Sequence, residues 1–359
     1  MSFINNWLRS DIKAINAYHV PYSADMVKLD AMESPFPLSD ELTSQYLNYL
    51  ADAQLNRYPS PNADELQQTL RELMDIPDEF GVLLGNGSDE LIQLLALACD
   101  TGDTILSVEP SFVMYGMVAK FTHLNYQSVV LTNDFEIDAD AMQKAIQIHN
   151  PKLIFIAYPN NPTGNMFNRA TIERIITSTK AMIVLDEAYY AYATDSFLTD
   201  IAKYPNLVLL RTVSKIGFAG LRLGLLIAAQ DTVKQLDKLR LPYNINTLTQ
   251  VSANFLLQEK EIINANASII LAQRQILFDA LVKTKVLKVY PSQANFILFK
   301  APNANVLFEF LQDNGVLIKN LSATKPLTDC LRVTIGTLKQ NQKFINIVKS
   351  FYNPTRRRK

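Results

Sequence analysis

Lys215 and Arg222 sit seven residues apart in Arg211–Gly224, RTVSKIGFAGLRLG, between the apolar runs NLVLL and LLIAA. A lysine among small and apolar groups has its charged form disfavoured, which frees the amine to act as nucleophile or base near neutral pH. The alternative is a core lysine whose head reaches water. Asp186 and Glu187 end the run in MIVLDEAYY. A buried carboxylate there needs a cation or donors, from either a structural ion pair or a ligand. Arg332 lies in the middle of CLRVTIG; its planar fork suits a carboxylate or a phosphate, and a structural partner would serve equally. LLGNGSDEL reads as a strand, a Gly85-Asn86-Gly87 turn and a helix starting at Ser88-Asp89. Glycines allow close backbone approach, and the unpaired N–H groups of a helix start attract an anion, although an ordinary N-cap would look the same. The last glycine of a dinucleotide fingerprint and the Lys-Ser/Thr of a P-loop are both missing. AYPNNPTGN places Asn161 just past a buried run, where turn chemistry also favours asparagine.

These residues need a frame. The runs VLLGNG, TILSVE, YQSVVL, KLIFIAYP, AMIVLDE, NLVLLRT and GLLIAA occur between about residues 82 and 230, most of them separated by helical patterns such as SDELIQLLALA and DADAMQKAIQIH. Runs apolar on both faces with helices between them predict an α/β domain with a mostly parallel, seven-stranded sheet covered on each side. Ligands of such sheets bind outside the carboxyl ends of the strands, where the residues above fall. Residues 247–285 carry long helical patterns without strands, followed by strand-like NFILFK (295–300), VLIKN (316–320) and CLRVTIG (330–336) and a last helix. The expected division is an N-terminal arm at 1–40, a large α/β domain at 41–245 and a smaller α+β domain at 246–359, with Leu241–Asn244 (LPYN) as hinge.

Composition narrows the chemistry. Thirty-four Lys and Arg against thirty-five Asp and Glu leave a net charge of −1, so the molecule has no general electrostatic pull toward nucleic acid or anionic membrane, and small-molecule substrates are expected. The Arg356–Lys359 tail, RRRK, reads as solvated. Cys99 and Cys330 are far apart in apolar segments, which predicts core thiols and neither a disulfide framework nor a metal site. Charges interrupt the N-terminal segment before a signal peptide could form, and no run approaches the ~20 apolar residues of a span, so a cytoplasmic protein is expected. The histidines, His19, His123 and His149, are scattered.

Taken together, MVKLDAMESPFPL, LNRYPSP, GNGSDE, YPNNPTGN, VLDEAY, RTVSKIGFAGLRLG, QANFILF, GVLIKNLS and CLRVTIGT make the chain resemble, over nearly its whole length, the pyridoxal-phosphate aminotransferases of the aspartate-aminotransferase fold, and within them the histidinol-phosphate aminotransferases. The resemblance implies transferase fold type I, pyridoxal 5'-phosphate as cofactor and a homodimer. It also implies amino transfer from L-histidinol phosphate to 2-oxoglutarate, giving imidazole-acetol phosphate and L-glutamate in two ping-pong half-reactions of histidine biosynthesis. By the same resemblance Lys215 holds the cofactor as an internal aldimine and moves the substrate proton, Asp186 pairs with the ring nitrogen, and Asn161 and Tyr189 contact the ring hydroxyl. Phe112 stacks on the ring where the family often has tyrosine. Gly87, Ser88 and Asp89, with Thr212, Ser214 and Arg222, hold the phosphate, and Tyr58 reaches it from the partner subunit. Arg332 grips the distal anion of the substrate, Asn161 also binds the substrate, and Tyr18 contacts the substrate phosphate. Ser34, Phe112 and the seven-residue Lys215–Arg222 spacing depart from the family pattern. Gly217 and Gly220 are expected to let the intervening loop turn. The rival readings are an aromatic or other amino-acid aminotransferase, a threonine-phosphate decarboxylase on the same fold, and a non-catalytic ligand-binding module.

Overall fold

The computed structural model describes residues 3–15, 17, 25–323 and 325–353. Tyr18 and the Arg356–Lys359 tail lie outside the described residues. A short strand, β1 (Val27–Lys28), precedes the strands of the large sheet: β2 (Phe80–Asn86), β3 (Thr104–Glu109), β4 (Asn125–Val130), β5 (Leu153–Ala157), β6 (Met182–Asp186), β7 (Leu207–Thr212) and β8 (Leu223–Ala229). They correspond to the seven apolar runs and form one sheet in the order β2-β8-β7-β6-β5-β3-β4. Every residue of β5 and β7 is buried, as a strand covered on both faces requires. Alternate side chains feed two cores. Ile154, Ile183, Leu185 and Leu209 enter one, while Phe155, Val184, Val208 and Leu210 enter the other.

One reversal decides what the sheet can present. Pairing is parallel from β4 through β3, β5 and β6 to β7, but β8 is antiparallel to both β7 and β2. Hence β2 points the same way as β5, β6 and β7, and its trailing helix, Ser88–Leu97, starts on the edge where those strands end. The loop from β7 to β8 leaves and re-enters the sheet on that same edge.

The second core is built on β9 (Lys288–Val289), β10 (Phe296–Lys300), β11 (Val316–Leu317), β12 (Lys319–Asn320) and β13 (Cys330–Thr334). An antiparallel sheet of order β12-β13-β10-β9 packs Phe296, Phe299 and Leu331 against Leu307 and Phe344 of the covering helices. The expected VLIKN strand breaks at Ile318: β11 pairs with β1 of the arm, and β12 pairs with β13. Leu29 and Met32 bring the arm into this core. Beyond the Leu241–Asn244 turn, the helix Thr247–Leu256 still packs on the large domain, with Ala253 in its core and Ser252 Oγ 2.7 Å from Tyr46 Oη. The change of core therefore comes within the helix Lys260–Val282, whose Ile263 belongs to the large core and whose Ile270, Leu277 and Leu281 belong to the small one. That point lies past the 245/246 boundary read from the sequence. Cys330 is buried as expected, whereas Cys99, beyond the end of the Ser88–Leu97 helix, is partly exposed. Among the described residues no helix is long and apolar enough to cross a membrane.

Candidate active site

Asp186 is the last residue of β6, on the face of Val184; Glu187 follows on the face of Leu185 and of Arg211 in β7. The two carboxylates therefore have different fates. Glu187 accepts from Arg211 Nη2 at 3.0 Å, Ser196 Oγ at 2.8 Å and the Phe197 N–H at 2.7 Å, a closed structural pair. Asp186 Oδ2 accepts from Tyr115 Oη at 2.8 Å and Oδ1 from the Ala188 N–H at 3.1 Å. Burial pushes its carboxyl up to about 6, opposed by those two hydrogen bonds. No cation meets it within ion-pair distance among the described residues.

After β7, Thr212 Oγ1 accepts from the Ser214 N–H at 3.1 Å and starts a tight turn, Val213–Lys215. Lys215 extends into the pocket that Asp186 lines, with Nζ donating to the Ala31 carbonyl at 3.4 Å. Burial, then the nearby Arg332 charge, lowers its amine to about 8. Gly217 takes φ 126°, which its missing Cβ permits, while Gly220 has no left-handed backbone and so does not need to be glycine for that reason. Arg222 is left-handed at φ 48° and begins the return into β8. Its guanidinium lies over Gly87, where a Cβ would come within 2.6 Å of Nη2, and Nη2 is 3.3 Å from Asp89 Oδ2. Gly224, which the sequence reading missed, is needed because a Cβ there would be 2.4 Å from the Ser88 nitrogen.

The pocket, about 540 Å³ with its open mouth, is lined by Ser88, Asp89, Phe112, Asn161, Asp186, Tyr189, Thr212, Ser214, Lys215 and Arg222, all of them candidates from the sequence. Gly87 borders it through Arg222. Met32, also on its wall, was not foreseen. Asn161 is at the junction with an adjoining chamber lined by Arg332. Arg332 Nη1 donates to Asn161 Oδ1 and Nη2 to the Asp30 carbonyl at 3.0 Å, with the guanidinium 5.2 Å from the centre of the Phe296 ring. Tyr189 meets the same ring edge-on at 5.2 Å. Asn160, next to Asn161, is structural: its Nδ2 donates to Pro110 O at 3.0 Å and Thr163 Oγ1 at 2.7 Å. Tyr58 does not line this chain's pocket; it is 80% exposed and stacks on Tyr243 at 4.5 Å.

A neutral-capable amine, a buried carboxylate and a helix start beside an arginine surround one cavity. This donor set fits a ligand with an electrophilic carbonyl, a basic ring nitrogen and a phosphate, as pyridoxal phosphate has. The family model for aminotransferase class I and II matches residues 24–348. Histidinol-phosphate aminotransferase of Vesicomyosocius okutanii is 84% identical over 98% of this chain and 99% of its own. The chain belongs to the histidinol-phosphate aminotransferases. Another member, histidinol-phosphate aminotransferase 2 of Nitrosococcus oceani, is 44% identical over 97% of this chain and 98% of its own. The crystal structure of the histidinol-phosphate aminotransferase of Sinorhizobium meliloti in complex with pyridoxal-5'-phosphate superposes with a TM-score of 0.84 at 20% identity, covering 97% of this chain and 98% of that one, which shows the shared fold. Within this histidinol-phosphate aminotransferase fold, the seven-residue spacing still brings Lys215 and Arg222 to one pocket, because the loop carrying them starts and ends on one sheet edge.

Proposed function

We infer that the protein transfers the amino group of L-histidinol phosphate to 2-oxoglutarate, yielding imidazole-acetol phosphate and L-glutamate, as a step of histidine biosynthesis. The observation that carries this reading is the convergence of Lys215, Asp186 and the Ser88 helix start on one pocket in a chain so close to a full-length relative of that name. Pyridoxal phosphate, when bound, supplies a carbonyl that condenses with amines and a ring that draws electrons from the substrate Cα.

The chain's own groups do the rest. Lys215, with its amine lowered to about 8, is neutral in about a tenth of molecules at pH 7 and can take and return the substrate's Cα proton. Asp186 offers a fixed anion to a protonated ring nitrogen. The N–H groups at Ser88 and Asp89, with Thr212, Ser214 and the Arg222 guanidinium, provide a phosphate site. Asn161 turns its oxygen to Arg332, which leaves its amide nitrogen as the donor end for the ring hydroxyl beside Tyr189. Arg332 offers a planar fork to the phosphate of one substrate and a carboxylate of the other. We place Tyr58 at the phosphate of a partner subunit in a homodimer; its exposure and its absence from the wall of this chain's own pocket support that placement. The proposed setting is the cytoplasm, and Tyr18 is proposed as a contact to the substrate phosphate.

Two measurements test the reading. Purified protein should take up pyridoxal phosphate with visible absorbance that Lys215→Ala abolishes; protein that stays colourless after reconstitution would sink the cofactor assignment. In single turnovers, histidinol phosphate should convert the bound cofactor to its amine form. If phenylalanine or tyrosine does so and histidinol phosphate does not, the substrate assignment fails.

A further inference from the structure

Tyr115 has no catalytic position in the family pattern described above, yet it is the largest wholly buried side chain beside the site. It sits in the helix Met114–Phe121, one turn after Phe112. Its ring stacks on Phe155 of β5 at 4.7 Å with planes 14° apart, and the Phe112 ring meets it edge-on at 5.6 Å. Phenylalanine would satisfy that packing equally well, so the hydroxyl calls for its own explanation. A buried phenol needs a hydrogen-bond partner. Here it is Asp186 Oδ2, at 2.8 Å.

A carboxylate has about four acceptor sites, and the described contacts to Asp186 use one on each oxygen. The remaining lone pairs can meet a ring N–H. The Tyr115 hydroxyl and the Ala188 N–H fix the plane of the group from opposite ends, one from a helix and one from the turn after β6. We propose that Tyr115 is a positioning residue that orients the Asp186 carboxylate and stabilises its charged form toward the ring nitrogen of the cofactor.

The electrostatics agree in direction. Burial and the charge of Asp89, from the helix after β2, disfavour ionisation of Asp186; the Tyr115 and Ala188 hydrogen bonds and the charge of Lys215, from the loop after β7, favour it. Tyr189, from the turn after β6, faces the same carboxylate, and its own hydroxyl is held neutral by burial. The phenol of Tyr115 is likewise kept neutral, chiefly by burial and then by the Asp186 charge, so it remains a donor across the working range. A hydrogen bond to a charged group stabilises it enough to change an ionisation constant by about tenfold or more.

The test is Tyr115→Phe, which deletes one oxygen, compared with Phe155→Leu, which disturbs the same stack and keeps the hydroxyl. In cofactor-free protein labelled with ¹³C-aspartate, the Asp186 carboxyl, identified by its loss in Asp186→Asn, should titrate about one pH unit higher in Tyr115→Phe. It should not move in Phe155→Leu. The affinity of the apoprotein for pyridoxal phosphate at pH 8 should fall about tenfold in Tyr115→Phe. An unmoved midpoint in Tyr115→Phe, or an equal shift in both variants, overturns the role of the hydroxyl. The affinity arm rests on the cofactor reading and the titration does not. Wild-type protein that binds no pyridoxal phosphate therefore refutes the cofactor alone, and an unmoved midpoint refutes the Tyr115 role alone.

Discussion

Asp186 and Glu187 are adjacent, chemically alike and both buried, yet the two faces of their strand use them for opposite ends. On one face Glu187 is closed off by Arg211, Ser196 and Phe197 and is part of the scaffold. On the other, Asp186 is held by hydrogen bonds from neutral donors and kept from a structural cation. The neighbouring turn repeats the division, with Asn160 tied into its own loop and Asn161 turned to Arg332. In this carboxylate pair the structural charge meets a cation within the chain, whereas the pocket-facing one is left for the ligand to match. Mutations on the scaffold face should therefore cost stability, and mutations on the pocket face should cost chemistry.

The strongest way to break this comparison is at the pocket. Lys215→Ala should lower turnover by about 10⁴-fold, the upper range for losing a general base, with no fall in the melting temperature of the apoprotein. A melting temperature that falls with activity would mean that Lys215 belongs to the scaffold. On the opposite face, Arg211→Met strands Glu187 without its partner and should cost about 3–5 kcal/mol in urea unfolding of the apoprotein. Unchanged stability there would erase the distinction between the faces.

Arg332→Ala should raise KM in both half-reactions, by about tenfold or more for loss of a charge-assisted contact. If neither KM changes, Arg332 belongs with Arg211 as a structural cation. A further prediction sharpens the comparison through pH. The Asp186 carboxyl is raised from 3.8 to about 6 in the fold, so between those values the native state binds more protons than the unfolded one. Stability is thus lost as pH rises through that window and stays lost above it, by about 3 kcal/mol for a shift of roughly two units. Asp186→Asn should melt higher than wild type at pH 8 in cofactor-free protein and gain little at pH 4. A variant that is less stable at pH 8 would show Asp186 to be structurally paired.

Much of this site is legible in the sequence because its residues lie at the ends of buried runs. Lys215, Asn161 and the Gly87–Asp89 turn each follow a strand whose apolar pattern is plain, and Asp186 ends one. Which member of an adjacent pair serves the pocket is less legible, since it depends on side-chain alternation against a neighbouring strand. Tyr115 was missed because its partner Asp186 is 71 residues away, and nothing local distinguishes a buried phenol from a buried phenyl ring. The arm escapes local reading too: the Asp30 carbonyl that receives Arg332 lies 302 residues from it. The packing of the helix Thr247–Leu256 on the large core was hidden for another reason. A proline-containing turn marks where a helix stops, not which core the next one joins.

The reversed strand β8 has a mechanical consequence. Because the chain turns back on the edge it has just left, one loop, Val213 to Arg222, carries both the amine and the guanidinium. It works as a caliper whose jaws are set by backbone length and not by the distance between two domains.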